Sequence, residues 1–124
     1  MYLATLARQP APRLAAALAG VVLMAAALLV AGPGAWQIWA FGLGPDAALL
    51  IGISRGLERG RLHPRAVPLY NALHRIAGPL ALGIASIWLG PPWLAGALAW
   101  AAHISADRAA GYGLRTRDGY QHVP

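Results

Sequence analysis

Two histidines and two aspartates stand out in a chain with little other charge. Asp46, His74, His103 and Asp107 each lie inside or beside a long apolar run. Charged groups at membrane depth are costly, so they usually face a protein interior and pair there. Imidazole nitrogens and carboxylate oxygens are ligand types for Zn, Mn or Fe, which makes the four candidate ligands of a divalent metal. A bound metal with an open coordination position would turn water into a nucleophile, which is hydrolase chemistry. The same groups could carry protons or ions instead. They could also form a purely structural network, with Arg75 on Asp46 and Asp107 on Arg108 or Arg115. His103 and Asp107 are four apart, as are Tyr70 and His74, so each pair shares a helix face. Asn71, three before His74, can join that face. The expected polar cluster is therefore Asp46, Tyr70, Asn71, His74, His103 and Asp107, with Arg108 beside it.

The elements that must hold these residues follow from composition. The chain has 124 residues, 58% hydrophobic and 11% charged, with a mean hydropathy of +0.52. Soluble domains usually carry about 25% charged residues. So much apolar surface must meet something other than water, and lipid is the default partner. The length allows a single domain, residues 1–124, with four spans of roughly 20 residues and short loops. The spans fall at about 14–31, 35–54, 66–89 and 93–114. Gly32-Pro33-Gly34 and Gly90-Pro91-Pro92 separate them, and Gly78-Pro79 predicts a kink in the third. Gly42, Gly44 and Pro45 interrupt the second beside Asp46. Trp36, Trp39, Trp88 and Trp93 mark one membrane interface. The first run resembles a signal peptide in its basic start and apolar stretch, but its length and the spans after it favour a retained helix.

Net charge is +6, and all ten basic residues are Arg. They occupy short segments between apolar runs rather than a stripe with interleaved aromatics, which argues against nucleic acid as a partner. There is no cysteine, so disulfides and thiolate sites are excluded. The first and third connections are uncharged. Arg8 and Arg13 precede the first run, Arg55, Arg59, Arg61 and Arg65 fill the second connection, and Arg115 and Arg117 follow the last. In a four-span, up-down, all-α bundle every cluster then lies on one side. The positive-inside rule makes that side cytoplasmic, with both termini there. Counted from the flanking arginines, the Asp and His residues all lie roughly 12–18 Å inside this face. His63 and His122 read as solvated loop and tail residues.

Pro45-Asp46, Tyr70-Asn71-x-x-His74 with Gly78-Pro79, and His103-x-x-x-Asp107-Arg108-x-x-Gly111-Tyr112-Gly113-Leu114-Arg115 together resemble a family. It is the uncharacterised bacterial membrane-protein family known as domain of unknown function 4260. The resemblance covers about residues 14 to 122. This chain carries Arg115 where members usually have Lys, and Ile53 where they usually have Tyr. Its ending, Gly119-Tyr120-Gln121-His122, is a shortened form that lacks the family's Thr. The resemblance implies a multi-pass protein of the bacterial inner membrane and groups Asp46, Asn71, His74, His103, Asp107 and Arg108. It implies no activity. A looser similarity, in ligand types alone, links the chain to membrane-bound metal-dependent hydrolases.

Three functional classes fit these residues. One is an accessory or binding membrane protein, partnered by another membrane subunit or a second copy of itself. Another is a metal-dependent membrane hydrolase that uses Asp46, His74, His103 and Asp107. The third is a small proton- or ion-linked transporter.

Overall fold

A computed structural model describes residues 10–52 and 56–121. Helices α1 (Pro10–Ala31), α2 (Trp36–Leu43), α3 (Ala47–Gly52), α4 (Val67–Leu73), α5 (Ala77–Leu89) and α6 (Pro91–Ala110) follow one another, and no strand occurs among the described residues. Two short 3-10 turns, Gly44–Asp46 and Pro64–Ala66, lead into α3 and α4.

The last helix organises the others: α6 packs against α1, α2 and α5. Its inward positions are mostly small, with Ala95, Gly96, Ala97, Ala99 and Ala102 all buried. Small side chains let backbones come close, which matters where lipid removes the hydrophobic drive between helices. Gly96 faces Gln37 and Phe41 of α2, while Gly78 of α5 faces the Trp100 ring of α6. Gly20 of α1 faces Ala102 and Ala106, and the Arg13 Nε donates to the Ala109 carbonyl at 2.8 Å. These contacts make α6 antiparallel to α1 and α5 and parallel to α2. Of these four helices, α1 and α5 run one way and α2 and α6 the other.

One end of this bundle is aromatic. Trp36 meets Trp93 edge-on at 5.4 Å, and Trp39 donates from Nε1 to the Pro33 carbonyl. Trp88 is exposed at the end of α5. The other end is closed by the loop 56–63 and the tail 111–121, tied together by Leu62 N–H donating to the Gly119 carbonyl at 2.9 Å. Gly119 has φ +95° and stands against the Leu62 backbone, so only glycine fits there.

The outer faces are apolar. Val21 and Leu29 on α1 and Leu80, Ile84 and Ile87 on α5 are all exposed, Leu29 by 88%. Among the described residues α1, 22 residues long, is the one helix long and apolar enough to cross a membrane by itself. Residues Pro64–Leu73 and Ala77–Leu89 form a second such stretch only if counted together across a 45° bend.

The stretch at 35–54 is interrupted at Gly44–Asp46, as Gly44 and Pro45 lead one to expect, because Pro45 has no N–H to continue an α ladder; residues 53–55 lie outside the described residues. The helix limits differ from the sequence expectation at three places. The bend in the third stretch falls at His74 to Ile76 rather than at Gly78-Pro79. Pro79 occupies the first turn of α5, where a missing N–H costs nothing. Pro91 and Pro92 belong to α6 rather than to the turn, since Gly90 at φ +104° makes the reversal alone. Finally, α6 stops at Ala110. Gly111 turns left-handed, and Tyr112 N–H returns to the Asp107 carbonyl, which closes the helix end.

Close packing at α6 predicts opposite outcomes at two glycines. A Cβ on Gly96 would stand 2.8 Å from the Phe41 ring and 3.3 Å from the Gln37 carbonyl. Gly96→Val should cost about 1–3 kcal/mol through overpacking, seen as a lower melting temperature in detergent. Gly20→Ala meets nothing closer than 3.5 Å and should leave melting unchanged or slightly raised.

Candidate metal centre

Two broken helices and one intact helix bring the polar residues together. The break at Gly44–Asp46 ends α2 and turns Asp46 inward. The break after Leu73 ends α4 at His74, whose side chain is fully buried. His103 and Asp107 come from consecutive turns of α6, on the face opposite these two ends.

The four side chains converge. His74 Nε2 lies 3.2 Å from Asp46 Oδ1 and 3.2 Å from Asp107 Oδ2. His103 Nε2 lies 3.2 Å from Asp46 Oδ1, 3.4 Å from Asp107 Oδ2 and 3.3 Å from His74 Nε2. One ligand atom from each residue lies within 4.8 Å of all the others. Bonds of about 2.0–2.1 Å to a tetrahedral metal place ligand atoms roughly 3.3 Å apart. The five separations that involve a histidine, 3.2–3.4 Å, match that edge.

The far side of each imidazole fixes its orientation. His74 Nδ1 is 2.7 Å from the Tyr70 carbonyl, and His103 Nδ1 is 2.8 Å from the Gly42 carbonyl. A carbonyl only accepts, so each Nδ1 carries the hydrogen and donates it. Each Nε2 faces the carboxylates, able to ligate a metal when it carries no hydrogen and to donate to a carboxylate when it does. Ligating histidines elsewhere are oriented by this same outer hydrogen bond. Both carbonyls lie in the last turns of short helices, where the helix dipole leaves partial negative charge. The centre thus sets two carboxylates against two imidazole Nε2 atoms. Hydrogens on the two Nε2 atoms pair each ring with the carboxylates, and a divalent cation would take their place and serve all four groups at once.

Solvent reaches this centre from one side. The His74 side chain is 0% exposed, His103 10% and Asp107 20%, but Asp46 is 46% exposed. Asp46 is therefore the accessible ligand, where water or a further molecule could approach.

The remaining residues of the expected cluster hold the centre from outside. Tyr70 stacks on His74, with ring centroids 3.9 Å apart. Asn71 does not join the ring. Its amide grips the tail, donating to the Arg115 carbonyl at 3.0 Å and accepting from Arg115 N–H at 2.8 Å. Arg108 donates to the carbonyls of His74 and Tyr112, so it caps the ends of α4 and α6 rather than pairing with Asp107. Among the described residues Asp46 and Asp107 meet histidines and no arginine. His63 accepts from Arg65 N–H and caps the turn before α4; His122 lies outside the described residues.

Sequence reasoning missed three contributors. Trp100 Nε1 donates to the Leu73 carbonyl at 2.8 Å and satisfies an end of α4 at the break. Arg115 lies over the Tyr70 ring at 4.9 Å. Gln121 reaches the Tyr70 hydroxyl at 3.3 Å. The one cue for Trp100 is that a buried indole must find an acceptor.

A family model described as Domain of unknown function (DUF4260) matches residues 13–123, nearly the whole chain. No curated protein and no solved structure matches it.

The double bond between Asn71 and the Arg115 backbone makes the tail's order depend on one side chain. Asn71→Leu removes both bonds and should cost about 1–2 kcal/mol locally. Hydrogen exchange at the Arg115 amide should then quicken by on the order of tenfold, while amides in the middle of α6 stay protected.

Proposed function

We propose that this chain, which belongs to the domain-of-unknown-function 4260 family, is a small multi-pass protein that binds one divalent metal. The ligands are Asp46, His74, His103 and Asp107. The observation that carries this reading is the convergence of four ligand atoms, the five separations that involve a histidine lying near the edge of a tetrahedral site, with both imidazoles held so that Nε2 faces the centre. Two nitrogens and two oxygens suit Zn first, then Mn or Fe, by ligand type.

The membrane setting belongs to the same reading. The helical stretch Trp36–Gly52 reaches roughly 25 Å and the 20 residues of α6 roughly 30 Å, enough to approach a bilayer's apolar thickness. The apolar outer faces of α1 and α5 and the tryptophans at one end support lipid contact. The polarity of α6 is concentrated in His103, Asp107 and Arg108, which turn to the site and to helix ends rather than outward. With the arginine-bearing loop and tail on the cytoplasmic side, both termini are cytoplasmic and the protein lies in the bacterial inner membrane as a four-span bundle.

The half-exposed Asp46 favours a second, more specific reading, a metal-dependent hydrolase. A metal held there would supply Lewis acidity and a more acidic water. The residues themselves would orient the site. His74 and His103 are fixed by backbone carbonyls, Asp107 is held between the two rings, and Asp46 is the ligand with room to shift.

Elemental analysis of protein purified from membranes in detergent tests the metal reading. Wild type should hold close to one transition metal per chain, and His74→Ala or His103→Ala should lose it while staying helical. Binding should weaken as pH falls, because imidazole and carboxylate ligands bind metal only when deprotonated. Metal-free wild type that cannot be loaded with zinc would sink the reading.

A further inference from the structure

On the loop-and-tail end lies a cleft of about 280 Å³ lined by Leu49, Leu57, Leu62, Glu58, Arg61 and Arg115. From it we infer that the chain carries a second site, for the phosphate group of an anionic membrane lipid. The inference rests on the multi-pass reading above and is independent of the metal.

Its two cations are fixed in advance. Arg61 donates from Nε to the Asp118 carbonyl at 2.7 Å, and its guanidinium lies over the Tyr120 ring at 4.9 Å. Arg115 donates to the carbonyls of Gly60 and Gly119 at 2.8 and 2.9 Å, and its guanidinium lies over Tyr70. Anchoring by neutral carbonyls and aromatic faces orients a guanidinium without neutralising it. Neither arginine forms an ion pair among the described residues. Arg115 also keeps one buried donor, Nε, without a hydrogen-bond partner, a cost that native structures usually avoid. Two oriented guanidinium groups in one cleft form a receptor for phosphate oxygens.

The walls select the source of that phosphate. Leu49, Leu57 and Leu62 give the cleft an apolar side, useless to a free inorganic ion but suited to the glycerol and first methylenes of a lipid. The volume is below that of most drug-sized pockets and fits a headgroup rather than a whole lipid. Basic pockets at the cytoplasmic ends of membrane helices bind anionic headgroups elsewhere for these reasons. Glu58, the one carboxylate of the lining, is exposed and screened by water.

Titrating the detergent-purified full chain with short-chain phosphatidylglycerol, phosphatidylcholine and inorganic phosphate tests the site. Phosphatidylglycerol should bind at least tenfold more tightly than either of the others. Arg61→Gln and Arg115→Gln should each weaken it about tenfold with helix content retained. Arg61→Gln is the cleaner variant, since Arg115 also ties the tail to the loop. Equal binding of phosphatidylcholine, equal binding of inorganic phosphate, or unchanged binding by Arg61→Gln would each overturn the assignment. Carbonate extraction of the same membranes separates the two readings. A chain that stays with the lipid fraction but ignores phosphatidylglycerol sinks the headgroup site alone.

Discussion

Two carboxylates and two imidazoles that meet at one point must balance their charge there. Each imidazole nitrogen Nε2 lies about 3.2–3.4 Å from both carboxylates, and the Nδ1 hydrogens of both rings go to carbonyls on the far side. The carboxylates would repel one another unless positive charge sits among them, as hydrogens on the two Nε2 atoms or as a metal ion. Much of the molecule's irregularity follows from this constraint. The 3-10 turn at Gly44–Asp46 and the end of α4 at His74 are both breaks that free a carbonyl and point a ligand inward.

Breaks of this kind must be satisfied from elsewhere, and α6 satisfies them. Trp100 takes the Leu73 carbonyl and Arg108 the His74 carbonyl, while His103 takes that of Gly42. The same helix presents a surface of alanine and glycine that allows α1, α2 and α5 to come close. One helix thus sets both the packing and the site, so a change in its approach to a neighbour would alter ligand spacing as well as stability. The stack Arg115, Tyr70, His74 extends this linkage to the tail.

Much of this was legible in the residues. The all-helical class followed from apolar runs, the break beside Asp46 from Gly44 and Pro45, and the grouping of Asp46, His74, His103 and Asp107 from their similar depth. The helix rotation that brings them together could not be read, because four-residue spacing fixes a shared face but not its direction. Asn71 lies three residues before His74, as a neighbour on the face would, yet the helix ends there and the side chain turns to the tail. The bend was assigned to Gly78-Pro79 because proline disrupts helices, but a proline in a first turn disrupts nothing. Partners such as the Gly42 carbonyl and the Trp100 indole leave no pattern in sequence, since a backbone acceptor can belong to any residue.

The central claim is that these four side chains form the coordination sphere of one metal. X-ray absorption spectroscopy of the zinc-loaded protein in detergent tests it most directly. The account predicts a four-coordinate first shell with two imidazole nitrogens at about 2.0–2.1 Å and two oxygens at about 2.0–2.2 Å. Imidazole outer-shell scattering should be present in the wild type, and His103→Ala should hold no zinc to give it. A six-coordinate shell of oxygens without imidazole scattering would place the metal elsewhere and contradict the account.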